Sequence, residues 1–141
     1  MQASATATAT VTFSVSTITV LTVSGNPGPL NITTAVAGSP PTSATDSTTT
    51  YAVTTNATGE AITGAINLAM PTGVTLSINL AAPTGATSAG AVSMTTTAQN
   101  LVTAITQLAQ SGLSITYTLA ATLAAGTVTS TTRTVTYTLT P

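Results

Sequence analysis

The chain of 141 residues fits one domain, and its apolar fraction of 43% suffices for a core of ordinary size. Only Asp46, Glu60 and Arg133 carry charge, against about a quarter of the residues in an average domain. One arginine without any lysine excludes a basic patch for nucleic acid or for an anionic membrane surface, and a net charge of -1 leaves little repulsion between copies, which favours association over a freely soluble monomer.

The first predicted element is the stretch ASATATATVTFSV, residues 3–15, in which small or apolar side chains alternate with Ser or Thr without a break. Period two of this kind is the signature of a strand with one buried face, here Ala5, Ala7, Ala9, Val11, Phe13 and Val15. At Ser16 and Thr17 the pattern changes phase, because Ile18 and Val20 next carry the apolar positions. That change predicts a bulge, a corner or the start of a separate strand.

SGNPGPL, residues 24–30, is a turn, followed by a short strand over residues 30–36. The polar, proline-containing residues 37–50 read as a surface loop. A strand over residues 51–55, the turn NATGE and a return arm with Ile62, Ile66, Leu68 and Met70 on one face predict a hairpin. PTG at residues 71–73 leads into VTLSINL, whose Val74, Leu76, Ile78 and Leu80 alternate with polar neighbours. A second PTG, residues 83–85, opens another loop.

Ala98, Leu101, Val102, Ile105, Leu108 and Ala109 fall at helical spacing, with a threonine before them and Gly112 after. This predicts one short helix at about residues 98–110. Residues 113–123 and 127–140 then read as a terminal hairpin, with Leu113, Ile115, Tyr117 and Leu119 on one face and Val135, Tyr137 and Leu139 on the same face of the return strand. Eight or nine short strands predict an all-β, antiparallel, immunoglobulin-like or pilin-like sandwich. The domain reading is an N-terminal donor strand, residues 1–15, and a sandwich, residues 16–141. Small, polar first residues are also what remains after removal of an export signal, against which Met1 argues mildly.

Chemistry is scarce. The chain has no His, Cys or Lys, so its many Ser hydroxyls lack a base, and an oxygen-ligand metal site would have two carboxylates at most. The expectation is a protein that is not an enzyme and takes no cofactor, with Asp46 and Glu60 as solvated loop carboxylates. No run approaches the length of an apolar membrane span. Two sequons, at Asn31 and Asn56, make these residues candidate glycan acceptors.

Residues 3–15 are too long for an ordinary strand of five or six residues. One reading makes them the first strand of their own sandwich, paired with the terminal hairpin. The other, suited by an odd-numbered face that grows from Ala at the tip to Val and Phe at the base, makes them an arm that leaves its own domain and completes the sheet of a neighbour. A Thr- and Ala-rich N-terminal strand before an almost charge-free sandwich resembles, in pattern over most of the chain, the extracellular donor-strand filament subunits of prokaryotes. These are the chaperone-usher type pilins, archaeal threads and bundling pili, and more distantly the camelysin-like biofilm fibre proteins. Without a disulfide the chain is closer to the threads and fibres. The resemblance implies a structural subunit of an extracellular, cell-surface filament, a helical homopolymer whose partners are other copies of the chain, with Ala5, Ala7, Ala9, Val11, Phe13 and Val15 at the interface. The alternative is a monomeric immunoglobulin-like adhesion or binding module of a surface protein.

Overall fold

A computed structural model describes residues 2–141; Met1, within the predicted donor strand, lies outside the described residues. Among the described residues, nine strands build two antiparallel sheets. They are β1 (Thr19–Val23), β2 (Ala44–Thr55), β3 (Glu60–Ile66), β4 (Val74–Leu80), β5 (Thr87–Ser88), β6 (Val92–Ser93), β7 (Gln99–Ile105), β8 (Leu108–Ala121) and β9 (Val135–Thr140). The larger sheet has the order β1-β2-β8-β4-β6 and the smaller β5-β7-β3-β9. A single 3₁₀ turn, Leu123–Ala125, is the helical content.

The core lies between the sheets. Ile62, Leu101, Val102 and Ile105 of the smaller sheet and Val53, Ile78, Leu80 and Ile115 of the larger are almost wholly buried, each contributing about 1.5–3 kcal/mol of transfer free energy. The alternation predicted for residues 74–80 is realised in β4, where Leu76, Ile78 and Leu80 point inward. The all-β reading holds.

The predicted helix over residues 98–110 is instead β7, the turn after it and the start of β8. Its apparent helical spacing comes from a bulge. The β3–β7 register slips between the pairs Glu60↔Ile105 and Ile62↔Val102, and Ala104 sits at φ 60°, so the extra residue moves Ile105 back onto the buried face beside Leu101 and Val102. Two consecutive apolar residues and a third three positions on then imitate a helical stripe.

Neither predicted hairpin forms. β2 and β3 lie in different sheets, so residues 56–59 cross the end of the sandwich; β8 pairs with β2 and β4, whereas β9 pairs with β3. Residues 44–50, expected in a loop, form the first half of β2, and the strand expected over residues 30–36 is reduced to one bridge between Ala35 and Pro41. Of the outcomes predicted for the phase change at Ser16 and Thr17, the structure has the start of a separate strand, since β1 begins at Thr19 while residues 3–15 belong to none, although the face assigned to Ile18 and Val20 is reversed. β1 pairs Leu21 with the buried Val53, so the odd-numbered residues stay on the inner side and Ile18 and Val20 face outward.

Candidate functional site

Residues 3–15 run clear of their own domain. They belong to no strand and every one of them is exposed. Of the six predicted interface residues, Ala5, Ala7 and Ala9 are exposed with the rest, and Val11, Phe13 and Val15 present 76%, 86% and 80% of their surface to solvent. Three large apolar side chains at alternate positions, each able to gain about 1.5–3 kcal/mol on full burial, form an apolar stripe without a cover.

The sandwich is open along one side. β1 ends the larger sheet with β2 as its one neighbour, and β9 ends the smaller with β3 as its one neighbour. Between them Thr19, Leu21 and Val23 face Val135, Tyr137 and Leu139 across an opening of about 490 Å³. Leu21, Val135, Tyr137 and Leu139 pack on the core yet remain only partly buried. Each of the two strands turns a row of unpaired backbone groups outward, a template for a further strand. The opposite edges differ, since β5 and β6 are two residues long each, which is one way proteins blunt an edge.

The ends of this groove are defined by the ladders. Thr19 pairs with Thr55 and Thr140 with Ala61, while residues 56–59 join Thr55 to Glu60. Thr19 and Thr140 therefore share one end of the sandwich, here called the base, and Val23 and Val135 lie toward the other. β1 and β9 run in opposite directions along the groove. The arm leaves from the base.

Polar contacts organise that base. Asn56 donates from its side-chain amide to the carbonyl of Ser16 at 2.9 Å and accepts from the Ile18 N–H at 2.7 Å. Nδ2, the atom a glycan would take, is thus engaged with the root of the arm, although Asn56 itself is exposed. Asn31, the other sequon residue, is also exposed. Glu60 corrects the expectation of a solvated carboxylate: it is 2% exposed, accepts from the Thr19 hydroxyl at 2.9 Å through Oε1, and has no partner for Oε2. Its place at the start of β3 puts it on the inward face with Ile62 and Ile66.

Asp46 lies in the outer half of β2, away from the base. The N–H and hydroxyl of Thr48, at 3.0 and 2.8 Å, and the N–H of Gly28, at 3.2 Å, hold its carboxyl below the usual aspartate range. Arg133 donates to the Ala69 carbonyl and tethers the segment before β9. Burial raises the ionisation of Tyr137 above that of a free phenol, helped by the Tyr117 hydroxyl beside it.

Among the described residues no group of three or more His, Cys, Asp or Glu is placed to hold a metal ion, and no helix is long and apolar enough to cross a membrane. The arm was legible from its alternation. The groove was not, because its two walls come from strands more than a hundred residues apart, and the Asn56 clamp carries no local sequence signal. No protein-family model, curated protein or solved structure matches the chain. The site thus stands on its geometry alone, an exposed arm and an open sandwich edge in one molecule.

Proposed function

We propose that the protein is a structural subunit of an extracellular filament, polymerised by insertion of residues 3–15 of one copy into the groove between β1 and β9 of the next. The observation that carries this reading is the pairing, in one chain, of an exposed arm with Val11, Phe13 and Val15 uncovered and a sandwich whose two longest free edges flank an apolar opening. An inserted strand gives hydrogen-bond partners to the exposed edge of β9 and covers Leu21, Tyr137 and Leu139. Donor and acceptor are different surfaces, so the contact repeats without closing.

The direction of insertion follows from the same geometry. If an arm entered a neighbour at its base, two bases would meet and each arm would fill the other's groove, closing a pair. Entering from the Val23 and Val135 end lets bodies follow one another head to tail. The arm then lies antiparallel to β9, as the fifth strand of the smaller sheet, with its alanine tip toward Thr140.

The test uses the full-length chain. Native protein is expected to sediment as a concentration-dependent series of polymers, and Phe13→Asp, which places a charge on the inserted face, is expected to sediment as a single copy with an unchanged far-ultraviolet spectrum. Native protein that stays a single copy at high concentration contradicts filament formation and returns the reading to a monomeric adhesion module. A Phe13→Asp chain that polymerises like the native one contradicts the arm as donor.

A further inference from the structure

The first 24 residues contain no Gly, Pro, Asn or Asp; the first such residue is Gly25. Tight hairpins rely on those residue types for their turns. To fill its own groove, the arm would have to reverse between Val15 and Thr19 and return beside β1. Instead residues 3–15 join no strand and are exposed throughout, and one side chain grips the chain where the reversal would occur.

That side chain is Asn56. Its Oδ1 accepts from the Ile18 N–H at 2.7 Å, its Nδ2 donates to the Ser16 carbonyl at 2.9 Å, and its own backbone N–H donates to the Ile18 carbonyl at 3.1 Å. The β1–β2 ladder ends at Thr19↔Thr55, so these three bonds extend it past the end of β1. Asn56 is itself anchored. The next residues are tied down by Ala57 N–H to Thr55 Oγ1 at 3.0 Å, Gln107 N–H to the Ala57 carbonyl at 2.9 Å and Gly59 N–H to Thr106 Oγ1 at 2.9 Å.

We infer that Asn56 is a positioning residue that keeps the arm in line with β1 and out of its own groove, so that the groove is left for a second copy. This rests on the donor-arm reading above. A hydroxyl or amide that merely capped the end of β1 would add stability without deciding where the arm goes. Asn56 acts on the two residues, Ser16 and Ile18, about which the chain must turn to fill itself.

The absence of native cysteine makes the partition measurable. Thr8→Cys in the arm is combined with Thr136→Cys or, in a second chain, Thr138→Cys, both on the exposed face of β9. After mild oxidation the products are separated under denaturing, non-reducing conditions. With Asn56 present the expected product is a ladder of disulfide-linked chains. Asn56→Ala removes two side-chain hydrogen bonds and is expected to raise the share of single chains closed on themselves about tenfold. Asn56→Asp, which keeps the acceptor but turns a second oxygen toward the Ser16 carbonyl, is expected to shift the same way with the fold retained by circular dichroism. A ladder in the parent with an unchanged single-chain share in both variants overturns this inference while leaving the donor arm in place. A parent that gives no ladder overturns both.

Discussion

The hydroxyl of Tyr137 donates to the hydroxyl of Tyr117 at 2.8 Å, linking β9 at the edge of the smaller sheet to β8 in the middle of the larger one. Tyr137 also lines the groove, so this bond holds β9 against the sandwich. Tyr137→Phe leaves the buried Tyr117 hydroxyl without that partner. The expected loss is about 1 kcal/mol, seen as a lower urea midpoint at unchanged slope.

The same tyrosines set a limit at high pH. Burial pushes Tyr51 up to about 12 and raises Tyr137 further from the ordinary phenol value of 10.0. Both are protonated in the folded protein where the unfolded chain would ionise. Their contribution is complete below pH 10 and is lost as pH rises beyond it toward the folded values. Urea titrations from pH 9 to 12 are expected to show falling stability, with a shallower fall in Tyr137→Phe.

Gly64 and Leu101 define how closely β3 and β7 approach. A Cβ on Gly64 would stand 2.7 Å from Leu101 Cδ1, and Leu101 has no exposed surface into which to move. Gly64→Ala is expected to destabilise the fold by about 1–3 kcal/mol through overpacking, measured by chemical denaturation.

Among the described residues Thr19 supplies the one hydrogen bond made to the buried Glu60 carboxyl, whose Oε2 has no partner there. Thr19→Val keeps the shape and strips the bond. Leaving the second oxygen orphaned is expected to cost about 1–3 kcal/mol, whereas Thr17→Val, at an exposed position one alternation earlier, is expected to leave the midpoint unchanged.

Asp46 gives a smaller effect at the acid end. Its folded carboxyl ionises below the ordinary value of 3.8 because Thr48, and secondarily Gly28, hydrogen-bond to the charged form. The stability this provides is present above that value and is lost as pH falls below it. Melting temperatures are expected to decline below about pH 4, and less steeply in Asp46→Asn.

Strand identity was legible in the sequence far more than strand partnership. β4 announced itself because VTLSINL alternates cleanly and its register with β8 runs without a bulge from Val74 to Leu80. β8 and β9 were each recognisable too, yet their proximity in sequence said nothing of the crossover that puts them in different sheets. β7 was hidden by its bulge at Ala104, since one inserted residue turns period two into an apparent helical stripe. β1 was misphased because Ile18 and Val20 are apolar and the partner that fixes its face, Val53, lies in β2. Glu60 looked like a turn residue because β3 begins at it rather than after it, which sets it on the inward face, and its one partner, the Thr19 hydroxyl, lies 41 residues away in sequence. Residues 3–15 stood out as thirteen residues of unbroken alternation, yet the strand with one buried face that this predicts does not form within the chain's own domain, where all of them are exposed.

Electron cryo-microscopy of assemblies formed by the full-length chain tests the central claim most directly. The account predicts density for residues 3–15 inside the adjoining copy, hydrogen-bonded to β9 in the antiparallel sense, with Phe13 and Val15 nearer that copy's Val135 than its Thr140. Density for that segment folded back beside β1 of its own domain, or particles of one copy with no assembly at all, would contradict it.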